Sequence, residues 1–293
     1  MLYKEYDDVT LRRLQRIELE ILRDFDELCA ENGLTYFGCG GTAIGAVRHH
    51  GMIPWDDDID VALLRPDYEK FLRIAKQKKY RKKYYVVNSS TRENYPFMTT
   101  RWCRRGTRFK EDAMKNFEGE LGVFLDIYCF DNIPDNEILM KIHGWRSWFW
   151  GKLMILYWID EPVLYYGGFL GKAVTGACKV VHKGMRILHV SPRWLYRHTK
   201  RVSGCYNGQT TRRANYLHDP KPFISIVEKK DIFPVQRMEF SGQEICEPAD
   251  VDAYLSRRFG DYMTMPPEDK RHNHPPYELD LGNLGLPEEE RDS

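Results

Sequence analysis

The stretch GCGGTAIGAVRHHGMIPWDDDIDVALL, residues 38–64, constrains this chain more than any other. A short β-type run at 34–37 leads into Gly40 and Gly41, which precede a helical stretch at 42–50 that Gly51 can close. Pro54 then opens a loop. Beyond it Ile59, Val61 and Leu63 alternate with Asp58, Asp60 and Ala62, the period of a strand with one polar face. Side chains at i and i+2 of a strand share a face, so Asp58 and Asp60 are expected side by side. Like charges that close repel, a cation relieves the repulsion, and an oxygen-only donor set suits Mg2+ or Mn2+ rather than zinc.

A third carboxylate, Asp126, stands inside the apolar run VFLDIY at 123–128 and is the expected third metal ligand if that strand lies beside the first. Three carboxylates suffice for two metals roughly 3.5–4 Å apart, the arrangement that clamps attacking and leaving oxygens in phosphoryl transfer. Asp126 is also the expected residue to receive or orient a hydroxyl proton. Gly40 and Gly41, with Thr42 opening the helix, form a seat where a diphosphate can approach backbone N–H groups. Arg48 offers a fixed positive charge nearby. A calcium loop starting at Asp56 is excluded, because Val61 replaces the glycine that such a loop needs and Asp67 stands where its glutamate should be.

Around this stretch the pattern is α/β. Leu14, Ile17, Ile21, Phe25 and Leu28 recur at helical spacing until Asn32 and Gly33. Pro66 fits the first turn of another helix, and β-type runs follow at 84–87 and 97–103. Arg237 to Phe240 reads as a strand, Val251 to Phe259 as a helix stopped by Gly260, and the acidic tail after Pro275 as loosely ordered. Three segments are expected: a catalytic core at 1–135, a helical insertion at 136–230, and a closing strand and helix at 231–293.

The chain has 293 residues with 42% hydrophobic content, enough for a packed interior. Its net charge of +1 gives no support to nucleic-acid binding. That near-neutrality hides a basic aromatic segment: residues 138–201 hold eleven Lys or Arg against Asp160 and Glu161 only, and five of the seven Trp. The uncharged run 163–171 is too short to span a bilayer, which takes about 20 apolar residues. Trp and Tyr mixed with Lys and Arg suit a helix at a membrane interface, a groove for an anionic lipid-linked glycan, or a face packed on the core. Seven scattered cysteines without a CxxC pair, and a charged N-terminus where a secretory signal would be apolar, point to reduced thiols and a cytoplasmic location.

The order GGTAIGAVRHHGMIPWDDDIDVALLRPDYEKFL, FLDIYCFDNIPD, FPVQRMEFSG and YLSRRFGDYMTMPP resembles the LicD family of phosphorylcholine transferases, relatives of fukutin and fukutin-related protein, over residues 11–130 and 231–275. The resemblance implies an α/β (α+β) nucleotidyltransferase-like mixed sheet flanked by helices. It further implies transfer of phosphocholine from CDP-choline to a sugar hydroxyl of a teichoic acid or lipopolysaccharide-type precursor, at the inner face of the cell membrane. Asp58, Asp60 and Asp126 are then the metal triad, and Gly40 and Gly41 the nucleotide-side loop. Aromatic faces would hold the quaternary ammonium, with Trp55 and Trp102 either lining such a wall or packing as ordinary core aromatics, the second reading being favoured for Trp102. Arg101 is expected to meet phosphates, Arg104, Arg105 and Arg108 either to do so or to cover a strand edge, and His272 and His274 either to reach the site or to stand exposed in a polar tail. Two alternatives remain: transfer of another phospho-alcohol such as phosphoribitol, and a non-catalytic module binding metal and glycan.

Overall fold

A computed structural model describes residues 6–161, 168–271, 273 and 275–286. His272, His274 and residues 163–167 of the uncharged run lie outside the described residues. The first helix, α1 (Asp8–Asn32), starts where the Asp7 carboxylate accepts hydrogen bonds from the Thr10 amide and hydroxyl, and ends at Gly33 in the left-handed region. Its Leu14, Ile17, Ile21, Leu22, Phe25 and Leu28 are fully buried. Each contributes about 1.5–3 kcal/mol of hydrophobic stabilisation.

Next come β1 (Tyr36–Gly38), α2 (Gly41–His49), β2 (Asp60–Leu64), α3 (Arg65–Ile74), the short α4 (Lys78–Arg81), β3 (Tyr84–Val87), β4 (Thr100–Arg104), β5 (Arg108–Lys110) and β6 (Phe124–Ile133). They build a mixed sheet in the order β1-β2-β6-β4-β3, in which β2 and β6 run parallel and the other neighbours antiparallel. Trp102 on β4 is fully buried, stacked 4.0 Å from the Tyr84 ring, so it is a core residue and lines no open wall.

The basic aromatic segment forms α5 (Glu137–Trp158), α6 (Gly168–Ile187) and α7 (Pro192–Ser203), whose own core holds Met154, Tyr157, Met185, Leu195 and Tyr196. Buried Asp131 ties this layer to the sheet. It accepts a bidentate pair from Arg65 at 2.8 and 2.6 Å, and a hydrogen bond from Asn207 at 2.6 Å. Helix does not fill the whole of 136–230, because β7 (Arg213–Asn215) pairs with the end of β6, and β8 (Val227–Glu228) with β7.

The chain closes with α8 (Lys229–Ile232), β9 (Gln236–Phe240), β10 (Gln243–Glu247), α9 (Val251–Phe259) and β11 (Glu278–Asp280). The β9–β10 hairpin turns through Ser241 and Gly242, both with positive φ. Arg237 clasps Asp26 of α1 through two hydrogen bonds of 2.6 and 2.9 Å. The tail is not loosely ordered as far as Leu286. β11 pairs antiparallel with β5, and the carbonyls of Leu284 and Gly285 accept hydrogen bonds from Arg13 and Arg16 of α1. Leu281 is buried in the main core, with Leu279 and Leu284 packed against it, so the acidic tail carries a short apolar anchor.

Candidate active site

The parallel pairing of β2 with β6 puts Asp60 directly beside Asp126. β2 begins at Asp60, so Asp58 stands in the loop just before the strand rather than within it. The Thr42 hydroxyl accepts from the Asp60 amide at 2.8 Å, and the Asp60 carbonyl accepts from the Cys39 amide at 3.1 Å. These two bonds pin the start of α2 to the start of β2. Gly40 has a φ of 61°, and a Cβ added there would stand 3.2 Å from Asp60 Oδ2; one on Gly41 would stand 2.7 Å from Asp56 Oδ2. The glycines are therefore where side chains would collide with the carboxylates. The glycine turn and the acidic cluster form one locus.

Burial first, then Asp58, Asp126 and Asp56, push the Asp60 carboxyl well above the usual carboxylate range, and Asp60 Oδ1 is buried without a hydrogen-bond partner. Asp126 is pushed up to about 7 by burial, with Arg101 pulling the other way and Glu111 and Asp58 adding to the rise. A further carboxylate was not anticipated. Glu18 projects from α1, is 2% exposed, and is raised well above its ordinary value by burial and then by Asp58, Asp57, Asp56 and Asp60. The only trace of it in the sequence is a Glu interrupting the face Leu14, Ile17, Ile21, Leu22.

Cations meet this cluster from two sides. Arg101, 4% exposed and in register with Asp126, approaches Asp126 Oδ1 at 3.3 Å and Glu111 at 2.8 Å, with its guanidinium 3.8 Å from the Phe124 ring centroid. From α9, Arg258 lies near Tyr254, Cys39 and Asp219, and its charge favours the ionised form of Asp60. Arg258 Nε is buried without a hydrogen-bond partner, and the neighbouring Tyr254 hydroxyl accepts from the Gly40 amide at 3.4 Å.

Arg48 is placed differently. It sits at the far end of α2, about 10 Å along the axis from Gly41, and donates to the Tyr262 carbonyl at 2.8 Å. It fastens α2 to the segment after α9 rather than facing the glycine turn. Trp55 stands beside the acidic run, edge-on to His49, with the Arg271 guanidinium 5.0 Å from its ring centroid. Arg104 and Arg105 lie over the Tyr84 and Tyr85 rings, and Arg108 pairs with Glu278, so these three cover strand edges. Among the described residues, no three His, Cys, Asp or Glu side chains are gathered into a ready-made metal cage. The donor chemistry nevertheless fits a hard cation: oxygen donors only, mutually repelling, with one carboxylate oxygen buried and unpartnered.

Residues 33–150 match the family model described as LicD/FKTN/FKRP, nucleotidyltransferase domain. Over 289 residues the chain is 26% identical to the lipopolysaccharide cholinephosphotransferase LicD of Haemophilus influenzae, covering 91% of this chain and 96% of that protein. Local 58-residue stretches are 40% and 38% identical to uncharacterized proteins of Rickettsia typhi and Rickettsia prowazekii, covering 20% of this chain and 19% and 22% of theirs. The matched residues include the glycine turn, the acidic loop, β2, Arg101 and Asp126, so the similarity to LicD proteins falls on the candidate site itself.

Proposed function

We propose that this protein transfers phosphocholine from CDP-choline to a hydroxyl of a lipopolysaccharide-type cell-surface glycan. The observation that carries the reading is the register that sets Asp60 beside Asp126 at the mouth of the glycine turn, with buried carboxylates of one sign awaiting positive charge. Similarity along nearly the whole chain to a lipopolysaccharide cholinephosphotransferase supports the choice of transferred group and acceptor class. In the reaction the acceptor oxygen attacks the choline-bearing phosphorus, the bond from that phosphorus to the CMP oxygen breaks, and CMP leaves as the new phosphodiester forms.

Each protein group has a part. The start of α2 at Gly40, Gly41 and Thr42 offers backbone N–H groups and the positive helix end to the diphosphate. Arg258 adds a cation on the leaving-group side. Arg101 holds Asp126 Oδ1, which leaves Oδ2 to receive or orient the proton of the attacking hydroxyl. Asp58, Asp60 and Asp126 would hold Mg2+ or Mn2+. Such an ion supplies polarisation of the diphosphate and charge stabilisation on the departing oxygen. Trp55 already carries a guanidinium against its ring and is the aromatic face we assign to the quaternary ammonium.

The test is CMP release from CDP-choline and from CDP-ribitol, with lipopolysaccharide as acceptor and with Mg2+ or EDTA, in wild type and Asp58→Asn. Metal-dependent release from CDP-choline that the variant loses is the expected result. Release from CDP-ribitol alone would reassign the donor. Binding of metal and glycan without any release would overturn the transferase reading in favour of a binding module.

A further inference from the structure

Helix α5 carries a surface the transfer reaction does not use. Ile138, Ile142, Trp145 and Phe149, spaced four, three and four residues apart, form one stripe and are 70, 57, 53 and 52% exposed. The opposite face, with Met140, His143, Gly144, Ser147, Gly151 and Met154, is buried. The loop after β7 docks onto the helix and widens the stripe. Trp148 Nε1 donates to the Pro220 carbonyl and Lys152 Nζ to the Asp219 carbonyl, both at 3.1 Å. Phe223 packs on Gly144, where a Cβ would stand 2.1 Å from its ring, and meets Trp145 edge-on at 6.1 Å, so that Ile224, 44% exposed, joins the patch.

Past Glu137, whose carboxylate Arg213 pairs, the charges along this face have one sign. Lys141 and Arg146 are exposed next to Ile142 and Trp145, and from Ile138 to Trp158 the helix has no carboxylate. No helix among the described residues is long and apolar enough to cross a membrane. Exposed Trp, Phe and Ile flanked by Lys and Arg match a bilayer surface bearing negative headgroups, where rings enter the interface and cations meet phosphates. A second copy of the same face would set cation against cation. We propose that the 138–149 face of α5, extended by Ile224, is a peripheral docking surface for anionic phospholipid bilayers.

The test uses the full chain without donor or acceptor, so its failure leaves the transferase reading untouched. Co-sedimentation is measured with vesicles of phosphatidylglycerol and phosphatidylcholine in equal parts, and with phosphatidylcholine alone, for three doubly substituted variants matched to wild type in thermal melts. The expected results are binding to the anionic vesicles, a loss of about 30-fold in Lys141→Gln/Arg146→Gln, and a loss of at least about tenfold in Trp145→Ser/Phe149→Ser. The control Lys78→Gln/Lys82→Gln, in the basic cluster around α4, should stay within about threefold of wild type. Three outcomes overturn the proposal: no sedimentation of wild type with either vesicle, α5 variants that bind as wild type does, or a control that loses as much as they do. A dimer in sedimentation velocity that Trp145→Ser/Phe149→Ser dissolves also overturns it, since the face would then belong to a second copy.

Discussion

The sheet end of the molecule and its helical layer depart from ordinary protein surfaces in opposite directions. Around β2, β6 and α1 the chain buries carboxylates of one sign, with Glu18 2% and Asp126 8% exposed. Along α5 it exposes large apolar side chains that a folded chain would ordinarily cover. The first departure carries an electrostatic penalty that a cation removes, and the second a hydration penalty that an apolar surface removes. Under the proposed function a bound cation relieves the first, and under the proposed docking a bilayer surface relieves the second.

The sharpest way to break this comparison is Asp60→Asn. Transfer should fall on the order of a thousandfold, while the midpoint of thermal unfolding of metal-free protein rises as like-charge repulsion is relieved. Retained activity would mean the buried carboxylates are structural. Arg258→Ala should lower kcat/KM by about a hundredfold, an effect of roughly 2.7 kcal/mol, with the melt otherwise preserved; unchanged kinetics would remove Arg258 from the leaving-group side. Mg2+ at about a hundred times its Kd should add about 2.7 kcal/mol, or several degrees, to wild type in differential scanning calorimetry. Asp60→Asn should show no such shift.

The helical layer makes its own pH prediction. His218 is held between α5 and α7, with Nε2 3.0 Å from Ser203 Oγ and Nδ1 packed against Gly151, and burial pushes its pKa down to about 3. The unfolded chain binds this proton near pH 6.5. Its contribution is therefore complete above that value and is lost as pH falls toward 3, with a slope of up to about 1.4 kcal/mol per pH unit. Chemical denaturation between pH 7 and 4 should show a flatter dependence in His218→Gln, and parallel curves would exclude the ring as the source. The smallest effect belongs to Phe149→Ser, expected within about 0.5 kcal/mol of wild type by the same measurement. A larger loss would show that the α5 stripe supports the fold itself.

The most legible part of the site in the sequence was the acidic strand, because alternation along β2 and one Asp inside an apolar run are local patterns. The adjacency of Asp60 and Asp126 then depended on a single topological step, β6 lying beside β2. Glu18 was concealed because a stripe at helical spacing reads the same whether or not one neighbour of Ile17 is charged. Arg258 was concealed because the end of α9 looks like an ordinary solvated basic turn, and its approach to the glycine turn is fixed by tertiary packing of α9. Arg48 misled for the complementary reason: closeness in sequence to Gly41 became distance along a helix. The ordered tail was hidden by its acidic composition, which masks Leu279, Leu281 and Leu284, the leucines that pack on the core, while β11 and the carbonyls that Arg13 and Arg16 cap add main-chain partners that no side-chain pattern records.

The pairing of Asp60 with Asp126 joins two strands separated by α3, α4, β3, β4 and β5, and parallel strands can meet only through such a crossover. No peptide carrying the DDDID run alone can reproduce the locus, since half of it arrives with loop closure. Because side chains alternate from face to face, a slip of one residue between β2 and β6 would turn Asp126 away from Asp60 and put an apolar neighbour in its place. Turnover thus reports strand register, and a misthreaded chain with native helix content would be silent.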